Sequence, residues 1–225
     1  MILLGSIVNG AAIAAGGFVG LFVGKLLPDR MQKTLMSALA LVVIGIAVPG
    51  ISDSQKPLVP ILSMVLGTVL GELLDLDNAV IRLGDWLQRK TGGRGKFTDG
   101  FVNGTMVFAV GAMSIMGALN SGLQGDHTVL LSKSVIDGVS SVIFASTLGV
   151  GVLFSSVPVF LLEALITLLA SLLAPLLGAD VLAEISSVGS LLILAISLNM
   201  LGVTKIRVLN LVPAMFFPLL LCKFL

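Results

Sequence analysis

IVNGAAIAAGGFVG at residues 7–20 and FVNGTMVFAVGA at residues 101–112 open on the same Val-Asn-Gly, and their pairing decides how this chain is read. Each leads to a Val-Pro segment, LVPILSMVLG at 58–67 and SVPVFLLEAL at 156–165. From Asn9 to Pro60 is 51 positions, and from Asn103 to Pro158 is 55. Motifs that recur in order and at matching spacing mark an internal repeat. If each copy crosses a membrane three times, the odd number inverts the second copy relative to the first, as in transporters that work by alternating access.

Composition identifies the solvent. With 56% hydrophobic and 11% charged residues and a mean hydropathy of +1.13, the chain has too little polar surface for a soluble domain of its length. Membrane lipid is the partner this implies. A net charge of +1 offers no basic field, which excludes a nucleic-acid partner. Cys222 stands alone, so no internal disulfide forms, and a packed thiol is expected. The start, MILLGSIVNG, lacks the basic residues and small-residue cleavage pattern of a signal peptide, so a retained first span is expected.

A crossing helix needs about 20 apolar residues. On that ruler the chain divides into eight segments, at 3–26, 35–51, 57–74, 101–120, 130–153, 157–177, 183–203 and 207–224. The predicted fold is an all-α polytopic membrane protein of about eight transmembrane helices. Repeat 1 has three helices over 1–75, a cytoplasmic amphipathic linker covers 76–99, repeat 2 has three inverted helices over 100–177, and two C-terminal helices cover 178–225. Only Phe154-Ser155-Ser156 separates the fifth and sixth segments, which fits a tight hairpin or a partly re-entrant element. The C-terminal pair carries a fainter echo: LLGADVLAEISSVGSLLILAISL from Leu176 resembles LLPDRMQKTLMSALALVVIGIAV from Leu26, and Val212-Pro213 repeats the Val-Pro start.

With eight spans, ten of the thirteen Lys and Arg residues fall on one face and Lys56, Lys133 and Lys223 on the other. Basic residues concentrate on the cytoplasmic side, so both termini are expected outside the cytoplasm. In the linker, Leu76, Val80, Leu83 and Leu87 form a helical stripe beside Trp86, the pattern of a helix lying in the membrane interface. The following TGGRGKFTDG has a flexible loop's glycines but lacks the ending of a phosphate-binding loop. Gly16, Gly20 and Gly24, and again Gly67 and Gly71, recur four apart. Such stripes let helices approach closely, within one chain or between copies in a homo-oligomer.

Polar residues within apolar spans carry the chemistry, because each is costly there unless paired or facing a cavity. Lys133 and Asp137 lie four apart on one helical face that continues into Ser140, Ser141 and Thr147. They form either an internal ion pair or part of a substrate or proton site. Glu163 in the sixth segment and Glu72 near the end of the third are the other acidic candidates, and Glu72, with Asp75 and Asp77 behind it, is expected at the interface. Asn9 and Asn103 occupy equivalent repeat positions, where Asn-Gly caps or interrupts a helix and frees backbone groups for ions, or simply bonds neighbouring helices. Val-Pro at 59, 157 and 212 fits helix starts. Asn120, Asn199 and Asn210 fall near predicted ends and are expected to cap or be solvated. His127 beside Asp126 lies in an outer loop with too few ligands for a metal. No zinc-protease, Walker, Cys/His-cluster or Gly-x-Ser-x-Gly motif is present, so neither catalytic residues nor a cofactor is expected.

Three stretches carry a family resemblance: MILLGSIVNGAAIAAGGFVGLFVGKLLPDRMQKTLMSALAL (1–41), TDGFVNGTMVFAVGAMSIMGALNSGLQGDHTVLLSKSVIDG (98–138) and ASTLGVGVLFSSVPV (145–159). Together they resemble the YdfK/YqgA-like family of bacterial inner-membrane proteins, a domain of unknown function, over essentially the whole chain. The resemblance implies a bacterial cytoplasmic membrane and a multi-span fold; it brings no substrate. Asn9, Gly10, Asp99, Gly100, Lys133, Asp137 and Pro158 match its pattern, with no role attached. The sequence therefore predicts a small secondary transporter or permease for a small solute or ion. Asp137, Lys133, Asn9 and Asn103 are the first candidates for its site, followed by Ser140, Ser141 and Glu163. A channel and a structural or assembly protein are the alternatives.

Overall fold

The computed structural model describes residues 1–79, 82, 97–109 and 112–224, and among these every regular element is helical. In chain order they are α1 (Leu4–Leu26), α2 (Asp29–Ser52), α3 (Leu58–Leu74), α4 (Phe97–Ala109), α5 (Ala112–Gln124), α6 (Thr128–Leu148), α7 (Gly151–Leu168), α8 (Ala170–Leu173) and α9 (Ala179–Met200). A 3-10 segment (Val208–Phe216) and the single turn α10 (Pro218–Leu221) follow. Most of the amphipathic stripe expected over 76–99 lies outside the described residues.

Five of the described helices are long and apolar enough to cross a membrane, six if α4 and α5, bent by 58°, form one broken crossing. Eight were expected. The final segment, 207–224, falls short because Pro213 and Pro218 each remove a backbone donor, leaving a 3-10 segment and one α-turn. At 17 residues, α3 is also shorter than those five. Its outward side is nonetheless apolar, with Ile61, Val65, Val69 and Leu73 all exposed. The α1 and α7 faces bearing Phe18, Phe22, Leu161 and Leu165 are exposed in the same way. Apolar faces of this extent are unsuited to water and suited to lipid.

The chain forms two compact units that interleave along the sequence. One contains α1, α4, α5 from Met113, α6, α7 and α8; the other contains α3, α9, the 3-10 segment and α10, while α2 divides between Leu39 and Ala40. Neither unit coincides with residues 1–75 or 100–177.

In the first unit α1 runs parallel to α6 along the glycine stripe. A Cβ at Gly16 would strike Ser141 Oγ and the Gly138 carbonyl, one at Gly20 the Val142 carbonyl, and one at Gly24 the Ser146 backbone. The same helix runs antiparallel to α7, with Gly10 against Phe160 and Gly17 against Leu153. In turn α4 runs parallel to α7, with Gly100 against Val152 and Gly104 against Ser155. The helices that carry Asn9 and Asn103 therefore point in opposite directions. The turn joining α6 to α7 falls at Gly149, whose φ of +79° suits a residue without Cβ. Phe154-Ser155-Ser156, expected as the connection, is helical, and Pro158 lies inside α7 rather than at its start.

In the second unit Gly67 and Gly71 of α3 pack against Ala214 and Asn210 of the 3-10 segment, so both glycine stripes are occupied within the chain. Glu184 of α9 is fully buried and accepts hydrogen bonds from Ser54 Oγ at 2.7 Å and from the amides of Gln55 and Lys56 at 2.8 Å. It thereby satisfies donors at the entrance to α3 that no helix bond reaches. Arg207 reaches Glu72 at 3.1 Å and Asp75 at 3.3 Å on the exposed side.

Candidate membrane-buried binding site

Four side chains from three helices of the first unit converge. Lys133 is the sixth residue of α6 and Asp137 the tenth, which sets Asp137 about 14 Å from the helix start at 1.5 Å per residue. One helical turn brings both to the same face, and they are joined by a direct ion pair. From α1, Asn9 Nδ2 donates to Asp137 Oδ2 at 3.2 Å and to Glu163 Oε1 of α7 at 2.8 Å. Lys133 Nζ also lies 3.9 Å from Glu163 Oε1. Asn9 and Glu163 are wholly buried, and Lys133 and Asp137 are 6% exposed.

A backbone group belongs to the same cluster. Lys133 Nζ donates to the Phe108 carbonyl oxygen at 2.6 Å, and Ser114 Oγ donates to that oxygen at 3.2 Å. Phe108 is the penultimate residue of α4, and the last carbonyls of a helix lack partners of their own. Such a helix end is tolerated at membrane depth only where protein or a water-filled cavity covers it, and here an ammonium does so.

The cluster is incompletely satisfied. Among the described residues, Asn9 Oδ1 and Glu163 Oε2 are buried with no hydrogen-bond partner. Both are acceptors, so they suit a ligand that donates protons or carries positive charge. Among the described residues no three His, Cys, Asp or Glu side chains converge as a metal site.

The family Protein of unknown function (DUF554) matches residues 4–223. The chain belongs to the DUF554 family. It is 30% identical to the uncharacterized membrane protein YdfK of Bacillus subtilis over 220 residues, covering 96% of this chain and 94% of the relative. It is 29% identical to the uncharacterized protein YqgA of Escherichia coli over 218 residues, covering 94% and 93%. No solved structure matches it. The name of the relative YdfK and the apolar helices of this chain agree on a membrane protein.

Of the expected site residues in this DUF554 chain, the structure brings together Asp137, Lys133, Asn9 and Glu163. Asn103 is half-buried inside α4 and is not a member of that cluster, and the interruption comes after Ala109 rather than at Asn103-Gly104. Ser140 is half-buried, and Ser141 donates to the Gly138 carbonyl of its own helix at 2.8 Å. Thr147 likewise bonds back to the Phe144 carbonyl at 3.1 Å, so these two of the hydroxyls expected to extend the stripe serve α6 itself. His127 lies 3.0 Å from Ser121 Oγ, while Asp126 accepts from the Thr128 amide at 2.9 Å just before α6. Sequence reasoning missed Phe108, whose role is a backbone one, and Glu184, whose only signal was its place near the start of an apolar segment.

Proposed function

We propose that this protein is a secondary transporter or permease for a small solute or ion in the bacterial cytoplasmic membrane, with its site at the Asn9–Lys133–Asp137–Glu163 cluster. The observation that carries the proposal is that two carboxylates, an ammonium and an amide are buried together against an open helix end, with two oxygens that have no partner among the described residues. Each charge is unfavourable at the centre of a bilayer, by roughly 2.5–3.5 kcal/mol on insertion scales, so charges in that position mark function. Helix ends directed at such a cluster are a recurring way for transporters to hold ions.

Alternating access draws on the opposed directions of α1 and α4, whose Val-Asn-Gly motifs repeat. With α3 and the final segment as the seventh and eighth crossings, the Lys- and Arg-rich face is cytoplasmic and both termini lie outside. A carrier is favoured over a channel because the hydroxyls of Ser141 and Thr147 are turned back onto α6, leaving no continuous polar stripe along that helix.

Reconstitution into proteoliposomes on a solid-supported membrane tests this. Jumps in inorganic ions, amino acids and carboxylates should evoke a transport current from at least one of them, and Asp137→Asn should abolish it while remaining folded. Silence across the panel would favour a structural or assembly role, the reading suggested by the direct Lys133–Asp137 pair.

A further inference from the structure

Four buried oxygens that have no partner among the described residues belong to two helices, α1 and α7: Ser6 Oγ, Asn9 Oδ1, Glu163 Oε2 and Thr167 Oγ1. Their side chains are each 0% or 1% exposed. The antiparallel register explains the grouping. Asn9 bonds Glu163, and Gly10 and Gly17 meet Phe160 and Leu153. Ser6, three residues before Asn9, therefore comes level with Thr167, four residues after Glu163. Steps of three or four residues stay on one helix face, so the oxygens occupy adjacent layers of a single seam.

The charge count is also incomplete. With both acids ionised, Asp137 and Glu163 carry two negative charges against the one positive charge of Lys133. An unbalanced charge away from water is strongly unfavourable. One further positive charge balances it, whereas a divalent ion overshoots. Carboxylate, amide and hydroxyl oxygens are hard ligands, suited to a cation that needs no nitrogen or sulfur.

We propose that Glu163 Oε2 and Asn9 Oδ1, with the hydroxyls of Ser6 and Thr167, bind one alkali-metal cation beside the Lys133–Asp137 pair. The site deepens the transport proposal by naming the class of coupling ion, yet its occupancy is measurable without any transport.

The test is thermal unfolding of the detergent-purified full chain, titrated with NaCl, LiCl or KCl against choline chloride at constant pH and ionic strength, with equilibrium binding of radioactive sodium alongside. A cation that binds only the native state raises the unfolding midpoint in a saturable way. At least one alkali cation should do so, and Glu163→Gln should abolish the effect. Because that variant can also disturb folding, Ser6→Ala and Thr167→Val provide the second arm. Each should weaken the cation's apparent affinity about tenfold while leaving the midpoint in choline unchanged or higher, since it deletes a buried hydroxyl that has no partner. Identical midpoints in all four salts overturn the proposal, as does a cation effect that all three variants retain. When the titration is repeated at a second pH, a midpoint that moves with pH and with none of the salts means that a proton takes the place of the cation, and overturns it too. Saturable cation binding without transport currents leaves the cation site standing and removes the transporter. Currents from a protein that binds no alkali cation do the reverse.

Discussion

Lys133 Nζ lies 2.6 Å from the carbonyl oxygen of Phe108, so a cation in the body of α6 closes the open end of α4. The same ammonium pairs with Asp137 and faces Glu163. One side chain thus neutralises charge on α6 and α7 and satisfies backbone on α4, and its removal exposes all three.

Lys133→Met should therefore lower stability by about 3–5 kcal/mol, the range for breaking a buried pair by deleting one partner. Adding Asp137→Leu should recover only part of this, because Glu163 stays behind; adding Glu163→Gln should recover more. Denaturant titration of the detergent-solubilised variants measures the coupling. Strictly additive losses would mean that the three residues do not act as one cluster.

The glycine seam of α1 predicts sharply different outcomes for similar changes. A Cβ at Gly20 meets the backbone carbonyl of Val142, which cannot swing aside, whereas one at Gly45 in α2 meets nothing within 4 Å among the described residues. Gly20→Ala should reduce the yield of monodisperse protein severely. Gly45→Ala should be neutral or add about 0.5–1 kcal/mol through helix propensity. Size-exclusion profiles and unfolding midpoints compare the two, and equal behaviour would contradict the close α1–α6 approach.

Glu184 accepts three hydrogen bonds from the Ser54–Lys56 segment. Glu184→Ala leaves those donors without their acceptor and should destabilise by about 1–3 kcal/mol. Its alkali-cation affinity, read in the same unfolding experiment, should match that of the unmodified protein, because Glu184 contributes no atom to the proposed site. A loss of cation response with intact folding would tie Glu184 to function.

Arg207 pairs with Glu72 and Asp75 where all three side chains are nearly half exposed. Exposed pairs contribute little, about 0–1 kcal/mol, so Arg207→Gln should shift the midpoint slightly. The shift should shrink further between ~0.1 and ~1 M salt, as screening shortens from about 10 Å to about 3 Å. A large, salt-insensitive loss would show that Arg207 does more than hold surface acids.

The hydrogen bond from the Thr128 hydroxyl holds the exposed Asp126 carboxyl below its usual range. A carboxylate with a lowered folded-state pKa contributes stability above the ordinary Asp value of about 3.9 and loses it as pH falls through the folded-state value. The midpoint difference between the unmodified protein and Asp126→Ala should thus be greatest near neutral pH and close on acidification. A difference that widens on acidification would reverse the assigned sign.

Composition alone determined that lipid is the solvent and that the chain answers with helices, because no other open backbone arrangement satisfies its hydrogen bonds there. Short-range spacing determined the Lys133–Asp137 pair and the α1 glycine stripe, since one helical turn brings such residues onto one face whatever surrounds them. What spacing does not encode is which helix faces which. Packing chose Asn9 over its repeat partner Asn103, set Glu163 against Asn9, and turned Ser141 and Thr147 back onto their own helix. It also placed the α6–α7 turn at Gly149 instead of Phe154-Ser155-Ser156, and joined Glu184 to a segment some 130 residues away. Local order repeats every few residues and can be read from the chain; contacts between helices depend on the shapes of both partners, and only the tertiary structure holds both at once.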